Sequence, residues 1–250
     1  RYGVRGEGVR IAVIDTGVDP SHPDIDLAGW AEFDADGERV DSEPHDEVGH
    51  GTGMSSLATG GDASGMHIGV APEAELLAAK HHEADFFVSA MAAIEWAIEN
   101  GADVVSLSVE FGLYNADAIE PIENAAAAGV AVVTTGVGLN VLSSPGNIPS
   151  SVIAGAVDES RQPYNDGTGG EIRTERYWRG ADVPSEWPER FTAPDVATAG
   201  VDVLGAVPES VSEDQYTRAD GYSNGPPHVA GVIALLQSAA DDRLGVPEIK

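Results

Sequence analysis

Short apolar runs and longer amphipathic stretches alternate along this chain. Residues 9–14, 76–79, 104–109, 130–134 and 152–157 are short, mainly apolar segments, most of them rich in Val and Ile, and each reads as a buried strand. Between them, Phe87, Met91, Ile94 and Ile98 recur at helical spacing. Ile119, Ile122 and Ala126 do the same, with Pro121 placed in a first turn, where its missing N–H is harmless. Strands that are apolar throughout are buried on both faces, and strands alternating with helices build a parallel sheet covered on both sides. The expected class is therefore α/β, three layers deep, with a mainly parallel central sheet and helices on both faces. Such sheets carry their sites at the carboxyl ends of strands, where Asp15 falls.

Residues 158–192 interrupt the pattern. They hold Gly167, Gly169, Gly170, Pro184 and Pro188 without regular periodicity, and read as an irregular surface excursion. No internal repeat or linker divides the chain, so residues 1–250 are expected to form a single domain. It reads as trimmed at both ends, since Arg1 is not an initiator residue and the chain stops just after Gly245-Val246-Pro247.

Charge changes the picture more than length does. Forty-two acidic residues face thirteen basic ones, a formal net charge of −29, and only Lys80 and Lys250 are lysines. Such a surface repels nucleic-acid phosphates and anionic membranes, so neither is an expected partner. Its self-repulsion is relieved by salt, which shortens the screening length to about 3 Å at 1 M. The chain therefore reads as salt-adapted. No cysteine is present, which excludes disulfides, thiol catalysis and thiolate metal sites. No apolar run approaches the roughly 18 residues of a membrane-spanning helix.

Three segments place reactive side chains beside small-residue turns: Ile11-Ala12-Val13-Ile14-Asp15-Thr16-Gly17, Gly49-His50-Gly51-Thr52-Gly53, and Gly221-Tyr222-Ser223 running into Pro227-His228-Val229-Ala230-Gly231. A serine hydroxyl becomes a nucleophile only when a histidine takes its proton and a carboxylate holds that histidine in place. Taken singly, each has a plainer reading: Asp15 as a turn cap, His50 as a loop histidine, Ser223 as a helix cap. In the order Asp, His, Ser they resemble the subtilisin-like serine peptidases, and a haloarchaeal, halolysin-like branch in particular. Ser21-His22-Pro23-Asp24, Gly69-Val70-Ala71-Pro72, Ile94-Glu95-Trp96-Ala97, Asp103 to Ser108, and the stretch from Pro145-Gly146 to Val157 extend that resemblance over residues 9–240.

The resemblance implies a secreted serine endopeptidase that cleaves peptides or proteins through an acyl-enzyme. Asp15, His50 and Ser223 would form its triad, while His22 and His228 would be structural. It implies substrate-binding backbone at Ser108, Val109, Glu110 and Gly136; the Glu110 carboxylate would attract a basic substrate side chain if it points into the groove, and belongs to the acidic surface if it points outward. No cofactor is required for that chemistry. Subtilisins often hold calcium near the loop 60–65, so the resemblance admits a structural calcium there, but with Asp62 as the sole carboxylate the residues mark no clear site; no metal is expected at His81 and His82. Two departures stand out. Where relatives carry an oxyanion-binding asparagine, this chain has Val137 or Gly138, so that either Asn140 reaches in from a shifted loop or the Ser223 backbone N–H acts alone. Glu110 and Phe111 stand where relatives carry glycines, and would narrow the groove. Together these admit an alternative: a fold of this family whose groove binds a peptide or protein without cutting it.

Overall fold

A computed structural model describes residues 3–82, 85–135, 137–138, 141–167 and 169–250. In chain order it runs β1 (Arg10–Asp15), β2 (Leu27–Phe33), β3 (Arg39–Val40), α1 (His50–Thr59), β4 (Glu75–Lys80), α2 (Phe86–Glu99), β5 (Val104–Leu107) and α3 (Ile119–Ala127). There follow β6 (Ala131–Thr134), β7 (Val137–Gly138), β8 (Val141–Leu142), β9 (Val152–Val157), β10 (Gly170–Arg173), α4 (Thr174–Tyr177) and β11 (Arg190–Ala193). The last elements are β12 (Val196–Ala199), β13 (Val203–Ala206), β14 (Tyr216–Ala219), α5 (Gly225–Ala239) and α6 (Val246–Ile249).

Eight strands form the central sheet in the order β12-β9-β6-β5-β1-β4-β2-β3, parallel except for β3. All five apolar runs lie in it. The run at 104–109 ends its pairing at Leu107, because Phe111 and Gly112 exchange backbone hydrogen bonds with Ser144 instead. Alternation across the sheet sorts the side chains into two cores. Ala12, Ile14, Leu77, Ala79, Val105 and Val132 face α2 and α3. Ile11, Val13, Leu76, Ala78, Val104 and Val133 face α1 and α5. The three-layer α/β architecture follows from that sorting. On α3 the buried stripe is Ile119, Ile122 and Ala125, with Ala126 only half-buried.

The excursion at 158–192 is more regular than its sequence suggests. β10 and β11 pair as an antiparallel ribbon around α4, and Trp178 and Trp187 return from it into the α2–α3 core. Two indoles bury more apolar surface than any local periodicity advertises.

β1 sits at the middle of the sheet, with β4 on one side and β5 on the other. Chain connections diverge at its carboxyl end, the switch point where open α/β sheets form crevices. Asp15 is the last residue of β1.

Candidate active site

Asp15 is almost wholly buried, with 1% of its surface exposed. Its Oδ1 accepts the Thr16 N–H at 2.8 Å and contacts His50 Nδ1 at 2.6 Å. An ionised carboxylate only accepts, so Nδ1 carries the proton and Nε2 is left as the ring's acceptor. Oδ2 of Asp15 is buried with no hydrogen-bond partner. The negative charge of Asp15 raises the His50 pKa above the usual imidazole value, although burial of the ring opposes it. The His50 side chain remains 37% exposed, open to a reacting partner.

His50 is the first residue of α1, and what fixes it is Asp46. Oδ1 of Asp46 accepts the Thr16 hydroxyl and the N–H groups of Val48 and Gly49, at 2.8–3.1 Å. Its Oδ2 accepts the N–H and hydroxyl of Thr52, at 2.9 and 2.7 Å. Burial works against charge on Asp46, yet the bonds from Thr52 and Gly49 hold its carboxyl below the usual carboxylate range. This carboxylate satisfies the start of α1 in place of an N-cap side chain, and Thr16 ties it to the end of β1. Sequence reasoning passed over Asp46. The usable signal was an acidic residue six positions before Thr52, in a loop leading to a helix with no capping residue at Gly49.

Ser223 lies in a one-turn 3₁₀ segment, Tyr222–Asn224, with α5 starting at Gly225. The serine therefore precedes the helix rather than opening it, and Pro226 and Pro227 follow Gly225 in the first turn of α5. Its carbonyl accepts the Ser108 hydroxyl at 2.9 Å, which joins the end of β5 to this turn. The turn packs against α1, and Asn224 lines a cavity of about 220 Å³ together with His50 and Gly53. Among the described residues no hydrogen bond joins the Ser223 hydroxyl to the His50 ring. The structure thus couples Asp15 to His50 directly and brings the Ser223 turn onto the same helix.

Other predicted residues fall into place or move. Ser108 is buried and Glu110 half-buried. Val109 and Phe111 pack against the α2–α3 core. The Phe111 ring lies 6.0 Å from Phe86 and 5.1 Å from Phe87. Phe111 is half-buried in this contact, with Phe86 itself exposed. Gly136 and Asn140 lie outside the described residues. His22 is buried; its Nδ1 accepts the Asp24 N–H and its Nε2 donates to the Gln215 carbonyl, so it pins its own turn to the residue that leads into β14. His228 is held below the usual imidazole value by burial, and its Nδ1 bonds the Asn224 carbonyl. His81 is also buried and lowered by that burial.

The loop 60–65 lies beside Asp24. Asp24, the nearest buried carboxylate, already accepts the Ala63 N–H at 2.8 Å and the Tyr216 hydroxyl at 2.7 Å. Among the described residues no group of three or more His, Asp or Glu side chains is arranged to hold a metal ion. No helix among them is long and apolar enough to cross a membrane.

Comparison with known proteins adds relatives to this geometry. The subtilase family model, Peptidase_S8, matches residues 6–250. Subtilisin BL of Lederbergia lenta is 32% identical over 242 residues, covering 94% of this chain and 78% of that protein. M-protease of Shouchella clausii (strain KSM-K16) is also 32% identical, and this chain spans 55% of its length. The major intracellular serine protease of Bacillus subtilis (strain 168) is 28% identical over 96% of this chain and 72% of its own. Among solved structures, a cold adapted subtilisin-like serine proteinase superposes with a TM-score of 0.76 at 20% identity, over all of this chain and 82% of that one.

Proposed function

The chain belongs to the subtilase family and is a subtilisin-like serine endopeptidase; on that premise we propose that Ser223 is its nucleophile, with His50 and Asp15 completing the triad. The observation that carries this reading is the 2.6 Å contact between His50 Nδ1 and the buried Asp15 carboxylate. It orients the ring with Nε2 free to accept, which is the tautomer that a serine nucleophile needs.

The chemistry proceeds in two halves. Ser223 Oγ bonds the peptide carbonyl carbon as its proton passes to His50 Nε2. The same proton then goes to the departing amine as the C–N bond breaks, leaving an acyl-enzyme on Ser223. Water then bonds the acyl carbon as its proton passes to His50 Nε2, and that proton returns to Ser223 Oγ as the ester bond breaks and the acid leaves. Asp15 keeps its charge throughout and stabilises the imidazolium formed in each half. The Ser223 backbone N–H supplies one oxyanion donor, with the Asn140 side chain as the second. Substrate backbone lies along Ser108, Val109, Glu110 and Gly136.

The relatives are named as proteases, and nothing in the comparisons favours a groove that binds without cutting. Salt adaptation and an extracellular place of action belong to the same proposal, although one relative is named as intracellular. A fluorophosphonate probe, applied at molar salt, tests the nucleophile without knowledge of the substrate. Native protein is expected to be labelled on Ser223 and Ser223→Ala to stay unlabelled, with the labelled protein in the culture medium of producing cells. Absence of labelling in folded native protein overturns the mechanism, and labelling confined to the cells overturns the location.

A further inference from the structure

Four of the eleven arginines fall between residues 173 and 190, in a chain whose net charge is −29. The fold gathers all four, Arg173, Arg176, Arg179 and Arg190, around one cavity of about 920 Å³ built by the excursion. Its charged lining is four guanidinium groups against the carboxylates of Glu175 and Glu189, so the sign of the molecule is reversed here.

The frame of this cavity is fixed. Trp178 and Trp187 lie at its base, 2% and 9% exposed, with ring centroids 5.6 Å apart in an edge-on arrangement. Their indole N–H groups are committed to the protein body: Trp178 to the Asn147 carbonyl at 3.1 Å, Trp187 to Glu123 at 2.7 Å. The Thr174 hydroxyl reaches the Pro188 carbonyl and ties the two ends of the segment together. Arg173 and Arg190 share Glu171, at 2.8 and 3.6 Å. Arg176 and Arg179 are exposed and, among the described residues, have neither an ion-pair nor a hydrogen-bond partner.

Two unpaired guanidinium forks on a held, partly apolar wall match planar carboxylates, which arginine grips through paired N–H donors. Long-range steering is not what recruits them, because the whole molecule is strongly anionic. Direct contact pairs at short range outlast the screening that weakens the general repulsion, whose reach is about 3 Å at 1 M salt. That combination selects a short peptide stretch bearing a few carboxylates and an apolar neighbour, rather than a polyanion. We propose that this cavity binds an acidic peptide segment, with its carboxylates on Arg176 and Arg179 and an apolar side chain against Ala181, Val183 and Pro184. For the peptidase it is an auxiliary site that holds an acidic stretch of a protein substrate away from the bond being cut. That last role rests on the proposed function; the binding does not.

The test uses Ser223→Ala protein in molar NaCl and a fluorescein-labelled peptide of alternating Glu and Leu, followed by anisotropy. Saturable binding is expected for it, and none for the same peptide with Gln in place of Glu. Arg176→Gln combined with Arg179→Gln should weaken binding about tenfold, the scale of two exposed charge pairs. The same double substitution in active protein should leave the melting temperature and kcat/KM on a short neutral substrate unchanged. Equal binding of both peptides, undiminished binding by the double variant, or free glutamate competing as well as the peptide would each overturn the proposal. Failure of the triad reading registers separately, as cleavage of the peptide by Ser223→Ala seen by mass spectrometry.

Discussion

One oxygen of Asp15 orients His50 and also closes onto the Thr16 N–H, while its other oxygen is buried without a partner. The negative charge is thus concentrated on the ring it raises. Catalysis needs that ring neutral, so the acid limb of kcat/KM should fall above the usual imidazole value of about 6.5. Asp15→Asn removes the raising charge, and the limb should shift to lower pH. It should also cut kcat by about 10⁴-fold, a size known for the triad carboxylate of subtilisin itself, a relative of this chain. A pH–rate profile checks both, and an unmoved limb would deny Asp15 its role. The sign for stability is opposite in pH. A raised folded pKa means the pair stabilises the fold fully below the unfolded value, and that contribution is lost as pH rises through the folded one. At this scale the triad candidates were legible because each sits in a short motif. Asp46 was not, since four of its five donors lie in an irregular loop and helix start and the fifth, Thr16, comes from thirty residues away.

Between elements, the site depends on how closely α1 approaches the end of β1. Gly17 has φ +121°, and a Cβ there would meet the His45 carbonyl at 2.0 Å. A Cβ on Gly51 would meet the Gly17 carbonyl at 2.1 Å, a backbone atom that cannot step aside. Gly53, three residues before Ser56 on the same helix, has only ordinary contact, its nearest neighbour being the Ala206 carbonyl at 3.5 Å. Gly51→Ala should therefore cost about 3 kcal/mol and separate His50 from Asp15, abolishing activity. Gly53→Ala should instead gain roughly 0.5–1 kcal/mol from helix propensity with activity kept. Urea unfolding of the two variants, beside their rates, distinguishes them; equal effects would mean that the close approach is not what holds the site. Strands buried on both faces were readable as continuous apolar runs. β2 and β14 were not, because their partly exposed faces mix charge with apolar residues and local pattern loses its contrast.

For the molecule as a whole, charge sets the conditions under which these elements stay together. The described ion pairs of Arg5 with Glu73 and Arg10 with Glu75 are about half exposed, and such pairs contribute little. They do not offset a net charge of −29. The melting temperature should climb as NaCl rises from about 0.1 M towards molar levels, where the screening length contracts from about 10 Å to about 3 Å. A flat response across that range would show that self-repulsion is not a governing term.

By itself the sequence determined the α/β class, the positions of the five central strands, and the order in which Asp15, His50 and Ser223 are presented. Each of these is written in contiguous residues, where periodicity and small-residue turns report directly on backbone conformation. Tertiary structure alone decided that Asp46 ties α1 to Thr16 at the end of β1, that Phe111 packs beside Phe87, and that an excursion without periodicity closes four arginines around two buried tryptophans. These depend on which surfaces meet once the sheet has assembled. Burial and hydrogen-bond satisfaction between distant stretches then override what any local stretch would do alone.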